Sequence, residues 1–151
     1  MEKENTLRMN LSAPNFISVC IDEAANGELC GRMYHYYKEE PARFGSVLEL
    51  LGLAEKLYDS IAFPQASTMS RSFGKQEGEQ PPYNRPRPGK LTGVRELTGQ
   101  RGRLSTVLVR VNYRQNSTWQ GEALWVEQGE KKSFQNELEL VGLLEKSVTG
   151  A

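Results

Sequence analysis

A gapless internal repeat runs through this chain of 151 residues and sets the number and order of its structural elements. Shifting the sequence by 90 residues aligns 16–58 with 106–148, and 12 of the 43 aligned residues are identical. Ordinary residue usage would give about three identities over this length. The match therefore predicts a tandem duplication of one structural unit. Most of the identities are Val19/Val109, Asn26/Asn116, Gly31/Gly121, Phe44/Phe134, Leu48-Glu49-Leu50/Leu138-Glu139-Leu140, Gly52-Leu53/Gly142-Leu143 and Glu55-Lys56/Glu145-Lys146.

Each copy begins with a pattern that is typical of a β-hairpin. Apolar residues alternate with other residues along 17–22 and along 107–112, which predicts a strand with one strongly apolar face. A polar turn follows, and a second strand is predicted over 29–37 or 119–127. Turns centred on Asn26 and Asn116 predict these cross-strand pairs: Ile17 with His35, Val19 with Met33, Ile21 with Gly31, Val107 with Trp125, Val109 with Ala123 and Val111 with Gly121. The glycine shared by both copies indicates a place where another backbone or a bulky ring comes close.

A helix completes each copy. Ser46-x-x-Glu49 and Asn136-x-x-Glu139 are capping-box patterns at matching positions. The first helix has two apolar stripes, so we expect one to cover its own hairpin and the other to contact the second helix or another chain. The stripe assigned to the core is Val47, Leu48, Leu51, Ala54 and Tyr58, with Leu138, Val141, Leu144 and Val148 in the second copy. The stripe assigned to a partner is Leu50, Leu53, Leu57 and Ile61.

These patterns predict an α+β fold in a single domain, 1–151, made of two strand–strand–helix repeats. The first repeat spans 16–61 and the second 104–149. A lone hairpin with one helix buries too little surface to be stable, so the two copies must share a core. We therefore expect one or two antiparallel sheets with both helices packed on one side, related by a pseudo-twofold axis.

A basic connection, rich in Pro, Gly and Arg, joins the repeats over 64–103. The chain has 19 basic and 19 acidic residues, but 70–103 holds eight Lys or Arg against three Glu. This excess predicts anion binding along 71–103, for nucleic acid or a nucleotide. The alternative is that the arginines neutralise the acidic helices of the same chain. The candidate anion-binding residues are Arg71, Arg85, Arg87, Lys90, Arg101 and Arg103.

The sequence offers little for catalysis. There is a single histidine, His35, in an aromatic strand, and a structural role is the simpler interpretation. Cys20 and Cys30 do not form a C-x-x-C pair and are read as free thiols. No phosphate-binding loop or metal-ligand spacing is present. We therefore expect no catalytic residues, no metal site, no cofactor and no enzymatic activity.

The ends of the chain and its hydropathy point to the cytoplasm. Residues 1–5 are charged and no apolar stretch follows them, which is unlike a secretory signal. No segment approaches the ~20 apolar residues that cross a bilayer. Two cysteines are too few for a disulfide scaffold. We expect a cytoplasmic protein that does not bind membranes.

The second copy also carries a recognisable segment. Arg114-Gln115-Asn116-Ser117-Thr118-Trp119-Gln120-Gly121 is followed by Phe134 and by Leu138-Glu139-Leu140. This arrangement resembles a strand turn and helix of small uncharacterised bacterial proteins. The resemblance covers about the last third of the chain and implies no activity.

The leading functional hypothesis is a non-catalytic protein that binds another protein or itself, as an adaptor, regulator or inhibitor. It follows from the second apolar stripe of the first helix and from the duplicated scaffold. The other hypothesis is the anion-binding module along 71–103. Affinity that falls steeply with salt would favour the second hypothesis.

Overall fold

The computed structural model describes residues 13–25, 27–61, 66–67, 89–115 and 118–149. Within these ranges the chain forms an α+β fold in which seven strands belong to one sheet. The elements in chain order are β1 (Phe16–Ala25), β2 (Glu28–His35), β3 (Lys38–Phe44), α1 (Val47–Ile61), β4 (Ala66–Ser67), α2 (Val94–Thr98), β5 (Ser105–Gln115), β6 (Thr118–Trp125), β7 (Glu130–Phe134) and α3 (Glu137–Thr149).

Six of the strands form an antiparallel sheet in the order β3-β2-β1-β5-β6-β7. The first strands of the two predicted hairpins, β1 and β5, lie side by side in its centre, where Val19 pairs with Val107. The two-residue strand β4 runs parallel to the end of β5. The two hairpins therefore share one sheet.

The six predicted cross-strand pairs of the hairpins are all present. The turns themselves are not centred on Asn26 and Asn116. The last pairs are Ala25 with Glu28 and Gln115 with Thr118, so two residues remain in each turn. A β-bulge in β1 and another in β5 each insert one extra residue into the first strand of the hairpin. This shifts the pairing by one residue between the turn and the interior of the strands. The register predicted for the strand interiors is correct because these two departures cancel.

A third strand stands between each hairpin and the helix that follows, so the predicted strand–strand–helix order is wrong. These strands, β3 and β7, form the two edges of the sheet. Their sequences, Lys38–Phe44 and Glu130–Phe134, are charged and lack apolar alternation. Charged residues and proline are common on edge strands because they prevent pairing with other chains. The charged residues that protect an edge strand also remove the apolar alternation by which a strand is predicted from sequence.

The glycines shared by both copies lie where backbones meet. Gly31 pairs with Phe44, and Gly121 pairs with Phe134. A β-carbon on Gly31 would lie 1.9 Å from the carbonyl oxygen of Cys20, and one on Gly121 would lie 2.0 Å from that of Arg110. No side chain fits there, so the close approach predicted for this glycine is confirmed.

The two long helices pack on one face of the sheet, as predicted, but the predicted core stripes are only partly right. Ala54, Tyr58 and Leu144 are buried as expected. Leu48 and Leu138, assigned to the core by their spacing, are 78% and 80% exposed. Leu51 and Val141 are only partly buried. The buried residues are Leu50, Ala54, Leu57, Tyr58 and Ile61 in α1, and Leu140, Leu144 and Ser147 in α3.

The buried residues of α1 come from both predicted stripes, and spacing could not separate them because both stripes are apolar. In α3 the buried face includes Ser147, whose hydroxyl lies 2.8 Å from that of Ser105 and donates to the carbonyl of Leu144. A serine at a core position weakens the apolar signal of the correct face. Its hydrogen bonds make its burial possible.

A smaller apolar cluster lies on the opposite face of the sheet. It consists of Phe16, Tyr36, Leu97, Leu108 and Leu124. Leu97 belongs to α2, so the described part of the predicted connection, 89–103, packs on this face and leads into β5. The rest of the 64–103 connection, apart from β4, lies outside the described residues.

Candidate binding sites

The stripe predicted to meet a partner forms part of the core. Leu50, Leu57 and Ile61 are at most 7% exposed, and Leu53 is partly buried against the same cluster. These side chains cover the sheet of their own chain. Their assignment to a contact with another chain is therefore corrected, and they share one core cluster with Leu140 and Leu144 of α3. The large apolar side chains that are exposed, among the described residues, are Leu48, Leu91, Val94, Leu104 and Leu138.

Two of these leucines occupy matching places. Leu48 and Leu138 are the second residues of α1 and α3, and they align under the 90-residue shift. Each helix start is fixed by the predicted capping box. In α1, Ser46 accepts from the Glu49 amide while the Glu49 carboxylate accepts from the Gly45 amide at 2.7 Å. Asn136 and Glu139 do the same in α3. The caps hold both leucines in an ordered first turn, pointing away from the core.

The recognisable segment of the second copy is used internally. The side chain of Arg114 is 3% exposed and donates to Glu55 and Asp59 of α1 at 2.9 Å each. The indole nitrogen of Trp119 donates to Glu55 at 2.8 Å, and its ring meets Tyr58 edge-on. These contacts attach α1 to the hairpin β5–β6. The arginine and the tryptophan of the segment are therefore structural.

The connection is clamped to the sheet by Asp22 at the bulge of β1. Arg32 donates to both carboxylate oxygens of Asp22, at 2.9 and 3.1 Å, and also to the backbone oxygen of Arg101. The Arg103 amide donates to Asp22 at 3.0 Å. The hydrogen bonds from Arg32 hold the pKa of Asp22 below its usual value. The clamp fixes 101–103 in place, and neither partner of the ion pair was singled out from the sequence.

Three of the predicted anion-binding residues, Arg71, Arg85 and Arg87, lie outside the described residues. Lys90, Arg101 and Arg103 are exposed. Lys90 places its ammonium 4.3 Å from the centre of the Tyr36 ring, and Arg101 donates to the nearby backbone oxygens of 98 and 100. Within the described part of the chain, no ion pair links Arg101 or Arg103 to a glutamate of the helices.

A cleft of about 350 Å³ opens between the β2–β3 turn and the connection. Its walls are Tyr34, His35, Lys38, Glu39, Leu91, Thr92, Gly93, Glu96, Leu97 and Gln100. The Nδ1 atom of His35 accepts from the Tyr37 amide at 3.0 Å. Burial, with a smaller contribution from Lys38, lowers the pKa of His35 to about 4. The ring is therefore neutral at pH 7 and carries its proton on Nε2.

Both cysteines are free thiols, as expected from the sequence. Cys20 is fully buried, and burial raises the pKa of its thiol. Cys30 is partly buried, with its sulfur 3.5 Å from the backbone oxygen of Gly45. Among the described residues, no three His, Cys, Asp or Glu side chains are grouped as a metal site.

Comparisons with protein-family models, with curated proteins and with solved structures find no match for this chain. No helix in the described ranges has both the length and the apolar composition to span a bilayer. The candidate sites are therefore supported by the structure of this chain alone. They are the pair of exposed leucines, the basic connection and the cleft.

Proposed function

We propose that this chain is a non-catalytic binding protein, an adaptor, regulator or inhibitor, that contacts another protein through Leu48 and Leu138. The observation that carries this proposal is their exposure, 78% and 80%, at matching places in two capped helices. Exposed leucines gain little in a free monomer, whereas an apolar side chain that enters a partner's pocket can dominate an interface.

We also infer that the scaffold arose by tandem duplication and has a pseudo-twofold axis between β1 and β5. Ser18 and Leu108 are equivalent under the 90-residue shift and are also direct cross-strand partners. An axis through that pair exchanges the two halves of the sheet. The bulges, the capping boxes and the Gly–Phe pairs recur at equivalent places in both halves, which supports the inference.

The proposed duplication predicts how many copies of a partner the chain binds. Under a twofold axis, Leu48 and Leu138 present the same chemistry twice, each beside a capping glutamate. The chain would then engage two copies of a partner, or one symmetric dimer, and each leucine would contribute to affinity. Binding by only one of the two leucines would contradict this arrangement.

The test begins with partners captured from a lysate of the source organism and continues with a purified one. Affinity and stoichiometry are measured by calorimetry for Leu48→Ser, Leu138→Ser and the double variant, with Leu91→Ser as the control. Leu91 is also exposed, at 58%, but belongs to the connection. We expect each single change to weaken binding about tenfold and the double change to abolish it. Unchanged binding by the double variant would refute the proposal.

A second function, anion binding by the 71–103 connection, is supported by the exposure of Arg101 and Arg103 and by their lack of glutamate partners on the helices. Replacing Arg85, Arg87, Arg101 and Arg103 by Gln tests it. Binding to a single-stranded oligonucleotide, measured over a salt series, is expected to weaken and to lose part of its salt dependence. The same salt slope in the variant and the original protein would refute it.

A further inference from the structure

The cleft beside the β2–β3 turn has the size and composition of a ligand site. Its volume of about 350 Å³ falls within the usual range for small-molecule pockets. It is lined by charged and polar groups as well as by apolar ones. Four of its residues come from 34–39 and six from 91–100, so it exists only because the connection folds back on the hairpin.

Both walls of the cleft are anchored. The Leu91 amide donates to the backbone oxygen of Tyr36 at 2.6 Å. Leu97 is 2% exposed and packs in the same cluster as Tyr36. The Arg32–Asp22 pair then fixes the far end of the wall through the backbone at 101 and 103. A cleft held at both ends is preformed, so a ligand would lose little binding energy in ordering it.

One group of lining atoms suits a carboxylate. The Nε2–H of the neutral His35 ring is a donor, since Nδ1 is already used by the Tyr37 amide. Lys38 contributes an exposed ammonium close enough to His35 to lower its pKa. Thr92 also lines the cleft, but its hydroxyl oxygen is closed off from solvent, so a ligand in the cleft does not reach it.

A second group of lining atoms suits an ammonium. Glu39 is exposed, and Glu96 uses one carboxylate oxygen to accept from the Gly93 amide at 3.0 Å. The side-chain nitrogen of Gln100 donates to the backbone oxygen of Glu96, which leaves its amide oxygen as an acceptor. With one lysine against two glutamates, the lining is not cationic. A simple anion such as phosphate is therefore disfavoured.

We propose that this cleft binds a small zwitterion of the amino-acid type. Its carboxylate faces His35 and Lys38, and its ammonium faces Glu39 and Glu96. The site is separate from the exposed leucines, and although one of its walls belongs to the connection, none of the candidate anion-binding residues lines it. It needs no metal and no chemical step, since charge and hydrogen bonding alone account for recognition.

The experiment titrates the uniformly 15N-labelled full chain with each proteinogenic amino acid in turn, followed by NMR. Acetate, methylammonium and inorganic phosphate serve as single-charge probes. We expect at least one amino acid to give saturable shifts at His35, Thr92 and Gln100, with affinity about tenfold above that of acetate or methylammonium. Saturation by phosphate or acetate with equal affinity would overturn the zwitterion assignment.

Two pairs of variants localise the binding. His35→Phe and Lys38→Gln should each weaken binding of the amino acid about tenfold. The controls are Thr98→Val, on the same connection but outside the cleft, and Lys132→Gln, on the other edge strand. Binding that is unaffected by the first pair, or equally weakened by the controls, would overturn the site. So would the absence of saturable shifts with every amino acid.

Discussion

Neighbouring leucines of α3 provide a direct test of which helix face is buried. Leu140 is 3% exposed in the core between helix and sheet, whereas Leu138, two residues earlier, is 80% exposed. Both are leucines in the first turns of the same capped helix. Replacing each by alanine makes the same chemical change in opposite environments, so each variant is the control for the other.

The expected magnitudes follow from burial. Leu140→Ala removes about three buried carbon groups at roughly 0.8 kcal/mol each, and the cavity left behind adds to this, giving a loss of about 2–5 kcal/mol. Leu138→Ala removes little buried surface, and alanine favours the helix slightly, so the loss should stay below about 0.5 kcal/mol. In urea, the two midpoints should differ by about 1 M or more.

Urea unfolding followed by circular dichroism measures both variants, and Leu48→Ala with Leu50→Ala repeats the comparison in α1. Leu50 is 3% exposed and Leu48 is 78% exposed, so the same inequality is expected. Equal losses for Leu138→Ala and Leu140→Ala would refute the described packing. A large loss of unfolding free energy for Leu138→Ala alone would show that Leu138 is buried, as the sequence spacing predicted.

Two further predictions concern the glycines and the histidine. Gly31→Ala and Gly121→Ala should each destabilise the fold by about 3 kcal/mol, because the new β-carbon meets backbone; Gly52→Ala and Gly142→Ala, with open space around them, should gain up to about 1 kcal/mol. Similar urea midpoints for all four would contradict this. The folded-state pKa of His35 is about 4, below the free value of about 6.5, so the unfolded chain binds more protons between these pH values. The free energy of unfolding should therefore fall as the pH drops through that window, and His35→Gln should remove the part of this loss that is due to His35. Identical pH profiles of the unfolding free energy for the variant and the original protein would contradict this.

The register of the sheet could be predicted because it depends on local signals. Alternation places Val19, Val109 and their neighbours on one face, and a short polar turn then fixes the partners. The third strands could not be predicted, since their pairing depends on a sheet edge that exists only after the hairpins have met. The inward face of α1 could not be chosen either, because apolar residues cover most of its circumference.

The candidate sites depend on contacts that the sequence pattern does not contain. His35 and Thr92 are far apart in the chain, and only the folding of 89–103 against the sheet makes them walls of one cleft. The Asp22–Arg32 pair that holds this segment joins a bulge residue to the neighbouring strand, and the bulge itself has no signature in alternation. An aromatic strand with one histidine gave only the expectation of a structural role.

The two halves of the proposed duplication differ where the cleft lies. Under the 90-residue shift, the positions of His35, Lys38 and Glu39 are occupied by Trp125, Gln128 and Gly129. The cleft is lined by a connection that enters only between the copies, so it has no counterpart in the second half. The exposed leucines, in contrast, occur in both halves with the same caps. On the proposed duplication, the leucines belong to the ancestral unit, and the cleft could form only after two units were joined. Changes in the cleft should therefore alter ligand binding without altering the proposed protein contacts of the leucines, and loss of both by Lys38→Gln would contradict this order of origin.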